Sequence, residues 1–180
     1  LWVACSGKLL KFELSTYQLL KTFNVPEIGR TRFINTNSES YLLIGTGGGL
    51  LRMDMKTGEY RNIFPTSQTA LKANLDWVTG VYEQADQYLV STGEGLYELD
   101  KDSYRSTKIT SSSNPLSQLQ NSHVKCMQED RSGKVNIGTW GDGFFRWDPK
   151  DNTLKQYTRS NGLPDDVIYG ILEDEKGNLW

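Results

Sequence analysis

The residues of this chain that could do chemistry are few and widely spaced. Two pairs of adjacent carboxylates, Glu129-Asp130 and Glu173-Asp174, contain the groups that general acid–base catalysis uses. Both pairs stand at the same place in two similar stretches of sequence, and a pair that recurs with a repeat belongs to the scaffold. The glycine run at 45–49 has the composition of a phosphate loop. It lacks the G-x-G-x-x-G spacing and the Gly-Lys-Ser/Thr ending, and a strand follows it where a phosphate site needs a helix N-terminus. His123 is the sole histidine, and Cys5 and Cys126 are the only cysteines. No Ser/His/Asp or Cys/His set can be assembled from them, and no CxxC or Cys/His cluster supports a zinc or redox site. The two cysteines lie three repeats apart and are read as small buried hydrophobes. A disulfide would require their Cα atoms within about 7 Å. No catalytic residue, metal or cofactor is expected.

What positions these residues is a repeat, and periods of this length govern a fold. Residues 163–180 (LPDDVIYGILEDEKGNLW) align without gaps on 119–136 (LQNSHVKCMQEDRSGKVN). The next segment recurs as well: IGTWGDGFFRWD (137–148) is similar to IGTGGGLLRMD (44–54), VSTGEGLYELD (90–100) and VACSGKLLKFE (3–13). Trp180 therefore corresponds to Asn136, Leu89, Leu43 and Trp2, at intervals of 44, 47, 46 and 41 residues. Each unit is read as four strands. In the numbering of single units these are 167–172, Tyr41 to Thr46, Leu50 to Met53, and a weaker fourth such as Leu154 to Tyr157 or Glu59 to Ile63. Asp130-Arg131-Ser132-Gly133 has the Asp and Gly of a type I turn. Strands such as YLLIGT do not alternate between apolar and polar residues, which implies burial on both faces. Gly45 and Gly138 within them mark close backbone approach.

The predicted fold is thus all-β, a β-propeller of four-stranded antiparallel blades, about four of them, forming a slice of a larger seven-bladed type of ring. The expected blades are 1–27 (partial), 28–65, 66–112, 113–160 and 161–180 (partial). Five Trp, nine Tyr, six Phe and 17 Gly suit strands and turns. At 37% hydrophobic and 23% charged, the chain is not a disordered one. A net charge of -2 gives no general footprint for nucleic acid, and no apolar run approaches the ~18 residues of a membrane helix. The chain opens on Leu1-Trp2-Val3 and stops at Trp180 within a strand, so both ends are expected to be cuts through a longer protein.

Large residues that break the repeat at one rim are the candidate binding residues. In an up-and-down blade, the loop between strands two and three shares a rim with the start of strand one. Trp140 stands in the former loop, where other repeats have Ser6, Gly47 and Gly93, and that loop carries one extra residue. Trp77 replaces Val167 at the start of a first strand, beside Asp76. Asn74, Asn121 and Asp142 flank them, and His123 occupies the position of Val167. Indole faces beside amides and carboxylates suit sugar rings, which offer C–H faces and hydroxyl edges. The competing reading puts Trp77 and Trp140 in gaps between blades. Trp147, on a third strand with Met53 and Leu99, is read as packing.

The string Gly162-Leu163-Pro164, Val167, Ile171, Glu173-Asp174, Gly177 and Leu179-Trp180 resembles the two-component regulator propeller repeat. So does Ile44-Gly45-Thr46 followed by Gly49-Leu50 and Asp54. Residues 28–43 depart from the pattern, with Thr36-Asn37-Ser38-Glu39 in place of the E-D-x-x-G turn. The resemblance implies an extracytoplasmic sensor region of a hybrid two-component protein, periplasmic and anchored in the inner membrane. It also implies an oligosaccharide ligand, control of carbohydrate-utilisation genes, and a homodimeric parent. The histidine kinase and further blades would lie elsewhere in that parent. No kinase residue is present, so these 180 residues are not expected to be an enzyme, nor to bind nucleic acid directly. The alternatives are a protein-interaction propeller without a small ligand, and a propeller glycan lyase, for which a single histidine is a poor start. Fold alone does not separate them.

Overall fold

Runs such as Tyr41–Thr46 and Val135–Thr139 are too short for helices and too apolar for a strand wetted on one side, so a strand covered on both faces suits them best. The structure, a computed structural model, describes residues 1–35, 38–65 and 77–180. It consists of antiparallel strands and short 3-10 turns. The first sheet has three strands in the order β1 (Trp2–Cys5), β2 (Lys8–Phe12), β3 (Leu19–Asn24). The second runs β4 (Thr31–Asn35), β5 (Tyr41–Thr46), β6 (Gly49–Asp54), β7 (Tyr60–Pro65). The third is β8 (Val78–Glu83), β9 (Gln87–Thr92), β10 (Gly95–Asp100), β11 (Ser106–Lys108). The fourth is β12 (Val124–Glu129), β13 (Val135–Thr139), β14 (Phe144–Asp148), β15 (Thr153–Tyr157). No helix among the described residues is long and apolar enough to cross a membrane.

The chain divides into two units, Leu1–Leu71 with Asp76–Val78, and Lys72–Leu75 with Thr79–Trp180. In the first, Leu9, Phe23, Val25, Leu42, Ile44 and Met53 belong to one buried cluster. In the second, Leu89, Leu96, Leu119, Val124, Ile137 and Phe145 do so. The second strand of each four-stranded sheet is buried almost end to end: Leu42 to Thr46, Tyr88 to Thr92, and all of β13. That is why these segments fail to alternate.

One glycine in each four-stranded sheet allows this close packing. Gly45 pairs with Phe33, and a Cβ on it would lie 1.9 Å from Phe33 Cε1. Gly138 pairs with Cys126, and its Cβ would meet Cys126 Sγ at 2.7 Å and Ile168 Cγ2 at 2.6 Å. In the third sheet the small residue sits on the first strand instead. A Cβ on Gly80 would lie 2.9 Å from Ser91 Oγ and 2.7 Å from Met127 Cβ. In each case a neighbouring side chain, Phe33, Ile168 or Met127, fills the space beside the glycine.

A second device recurs at the turn between strands two and three. Thr46, Thr92 and Thr139 are buried, and each donates its hydroxyl to the carbonyl of a glycine at the start of the next strand or just before it: Gly49 at 3.0 Å, Gly95 at 3.1 Å, Gly143 at 2.8 Å. Each hydroxyl oxygen also accepts a backbone N–H from within the turn: Gly48, Glu94 and Asp142, all at 3.0 Å. Thr139→Val keeps the shape and removes both bonds. The Gly143 carbonyl keeps the Thr139 N–H at 3.1 Å and Asp142 is exposed to water, so stability should fall by about 1 kcal/mol in a urea titration. A change below a few tenths would contradict a role for the bracket.

Two expectations need correction. Residues 167–172 form no strand. Val167 bridges Trp140, Glu173 bridges Leu179, and Leu172 and Trp180 exchange two backbone hydrogen bonds. A ladder exists only where a partner lies alongside, and here the pairing is confined to these positions. Cys5 is exposed, not buried, because it closes β1 where the chain turns at Gly7. Cys126 is half-buried, burial pushes its thiol up to about 11, and neither cysteine is in a disulfide.

Candidate functional site

Trp140 leaves the sheet where β13 ends. Its backbone N–H donates to His123 O at 2.9 Å, and Ile168 N donates to Thr139 O at 2.8 Å. The N–H groups of Gly141 and Gly143 both donate to Asp166 O. These bonds place the 140–143 turn beside the start of β12 and the 166–169 segment, as the shared-rim argument requires.

The side chains converge with the backbone. The His123 ring stacks on Trp140 with centroids 6.4 Å apart and planes at 28°. Tyr169 meets Trp140 edge-on at 5.5 Å and 81°. Lys125 Nζ lies 4.8 Å from the Trp140 ring centroid and 6.0 Å from that of Tyr169. Trp140 keeps 49% of its surface exposed and Tyr169 keeps 73%. Two large rings at right angles, open to water, form a corner able to take a flat apolar face.

A β-bulge aims the cation. The β12–β13 register shifts between Val124 and Cys126, which leaves Lys125 as the extra residue. The first unit repeats the arrangement: β4 shifts between Thr31 and Phe33, and the bulged Arg32 lies 3.5 Å from the Trp77 ring centroid. Trp77 is half-buried, and a Cβ on Gly47 would lie 3.2 Å from its Nε1. A guanidinium already occupies a face of this indole.

The other rim candidates differ in placement. Asp142 holds the turn through its backbone, its N–H donating to Thr139 Oγ1 and its carbonyl accepting from Gln156 Nε2 at 2.8 Å. Asn121 is exposed, two residues before His123. Asn74 and Asp76 lie outside the described residues, as do Thr36 and Asn37. Lys125 and Tyr169 were not singled out in the sequence. Lys125 read as an ordinary strand residue and Tyr169 as part of a ladder that does not form.

The paired carboxylates behave as scaffold. Asp130 is 5% exposed. Its carboxylate accepts from Ser132 N and Oγ, Lys134 N, Asn136 Nδ2 and the Arg146 guanidinium. Burial alone would raise its pKa, but these donors together hold it at about 2. Asp174 repeats the pattern, accepting from Asn178 Nδ2 at 2.9 Å and Trp180 Nε1 at 3.0 Å, and its carboxyl also lies at about 2. Asn136 thus supplies, at the position of Trp180, the donor that the indole supplies there. Trp147 is buried, with Nε1 donating to Asn152 Oδ1 and its ring T-shaped against Tyr82. Among the described residues no group of three or more His, Cys, Asp or Glu could hold a metal.

The sequence profile of the two component regulator propeller matches residues 162–180, so this segment carries that repeat. No curated protein matches the chain. Among solved structures, the extracellular domain of BT4673 from B. thetaiotaomicron, described as part of a one component or hybrid two component system, is similar over 99% of this chain. The TM-score is 0.69 and the identity 19%. PorZ of Porphyromonas gingivalis, an essential bacterial surface component of the type-IX secretion system, is similar over 99% of the chain with TM-score 0.69 and 12% identity. The chain spans 24% of BT4673's domain and 28% of PorZ. At these identities the likeness is one of fold, and the fold is the β-propeller of antiparallel blades.

Proposed function

We propose that this chain is part of an extracytoplasmic ligand-sensing propeller of a two-component signalling protein of the hybrid histidine kinase type, and that it recognises an oligosaccharide. The observation that carries this reading is the exposed Trp140–Tyr169 corner at the edge of a segment that carries the regulator propeller repeat. Sugar C–H faces stack on such rings, and hydroxyl edges find partners in His123, Asp142 and Asn121. Trp77, with Arg32 over its ring, is a second candidate. The primary choice is Trp140, which is 49% exposed where Trp77 is half-buried. In the full protein, binding biases the arrangement of a homodimer in the inner membrane. The shift reaches a kinase on the other side and adjusts carbohydrate-utilisation genes. Phosphotransfer and DNA binding belong to other parts of that protein.

Isothermal titration of the complete extracytoplasmic region with a glycan panel tests this. Trp140→Ala should weaken the binding of the recognised glycan about tenfold, which corresponds to ~1.4 kcal/mol. Trp77→Ala is the companion variant. Unchanged affinity in Trp140→Ala would remove the corner from the site. Tight capture of a protein partner by a region that ignores every glycan would favour the interaction-scaffold reading instead.

A further inference from the structure

We infer that the sugar recognised at the Trp140 corner is acidic, bearing a carboxylate or sulfate that the Lys125 ammonium holds; this rests on the oligosaccharide reading above. The warrant is the placement of Lys125. A bulge takes it out of the regular alternation of β12 and sets its Nζ over both exposed rings, 4.8 Å and 6.0 Å from their centroids. Among the described residues no carboxylate forms an ion pair with it.

Neither Asp165 nor Asp166, on the segment beside the corner, forms an ion pair with that ammonium. Asp166 accepts Arg159 N at 2.7 Å and Asp165 accepts Val167 N at 3.0 Å, so both carboxylates are engaged by backbone N–H groups. A ring stacked on Trp140 with an acidic substituent toward Lys125 would satisfy the rings and the ammonium together. A neutral sugar would satisfy the rings alone.

The test is titration of the complete extracytoplasmic region with four probes: tetragalacturonate, its fully methyl-esterified counterpart, a sulfated carrageenan tetrasaccharide, and neutral cellotetraose. The carboxylate and sulfate probes separate the two sources of negative charge. The expected result is that one acidic probe binds at least tenfold more tightly than the neutral pair. Its affinity should fall as salt is raised. Lys125→Met, which keeps the stem and removes the charge, should weaken it about 3- to 10-fold and weaken the neutral probes by less. Equal binding of acidic and neutral probes would overturn the inference and leave the sugar reading standing. So would an acidic preference that Lys125→Met does not touch. Failure of every sugar, in this panel and in the broader one, would overturn both.

Discussion

Replacing Asp130 by alanine is expected to destabilise the protein by about 3–5 kcal/mol, more than any other single carboxylate change among the described residues. The side chain is 5% exposed and accepts from two backbone N–H groups, Ser132 Oγ, Asn136 Nδ2 and Arg146. Removing it strands the Asn136 amide, which is fully buried, and half-buries an unpaired guanidinium. Breaking a buried pair from one side is costly because the other charge stays behind. For a chain of this length the melting temperature should drop by roughly 10 °C. The effect carries a pH signature. The folded carboxyl lies at about 2, below its ordinary 3.8, so its ionisation stabilises the fold fully above about pH 4 and the benefit fades as pH falls through about 2. The gap between wild type and variant should therefore be constant from pH 5 to 7 and narrow by about 1–2 kcal/mol between pH 4 and 2, water around the half-exposed Arg146 keeping it at the low end. Urea titrations across that range check both parts. A loss under about 1 kcal/mol at pH 7, or a gap that ignores pH, would contradict the assignment.

Gly143→Ala should cost about 2–4 kcal/mol. Two effects add at this site. The backbone sits at φ +81°, where a Cβ is strained, and that Cβ would lie 2.1 Å from Tyr157 O, an atom held by the β14–β15 ladder. Gly141→Ala separates them. It too has positive φ, +108°, but nothing lies within 4 Å of its Cβ, so it should cost only about 1 kcal/mol. The same device opens β6 and β10, where a Cβ on Gly49 would meet Phe64 O at 2.2 Å and one on Gly95 would meet Gln120 O at 2.7 Å. Chemical denaturation of the two alanine variants side by side is the check. Equal losses would mean that the close approach carries no energy.

Much of this architecture was legible because the repeat samples one solution several times. The apolar run Tyr41–Thr46, the glycines at 45 and 138, and the turn Asp130–Gly133 each took their predicted place. The threonine bracket was visible in principle, since Thr46, Thr92 and Thr139 each precede a glycine by three or four residues. Its meaning depends on a buried hydroxyl, which spacing does not report. Register shifts were not legible. A bulge inserts one residue without a composition signal, so Arg32 and Lys125 looked like ordinary strand cations. Tyr169 was hidden for the opposite reason: an apolar run reads as a ladder whether or not a partner lies beside it. The residues around Trp140 were found through their departure from the repeat, whereas the residues that complete the corner depend on geometry.

The resulting account joins a repeated scaffold to one irregular rim. Buried threonines and positive-φ glycines recur in the four-stranded sheets, an acidic turn hub stands at Asp130 and again at Asp174, and together they hold the backbone in place. Trp140, Tyr169 and the bulged Lys125 break that regularity at an exposed edge, where an aromatic platform and a cation meet. The most direct measurement is a crystal structure of the complete extracytoplasmic region bound to the acidic oligosaccharide that titration selects. The account predicts a sugar ring lying on the Trp140 indole with its acidic group within about 4 Å of Lys125 Nζ, the reach of an ion pair. A sugar bound elsewhere, with neighbouring protein packed over Trp140 and Tyr169, would contradict it.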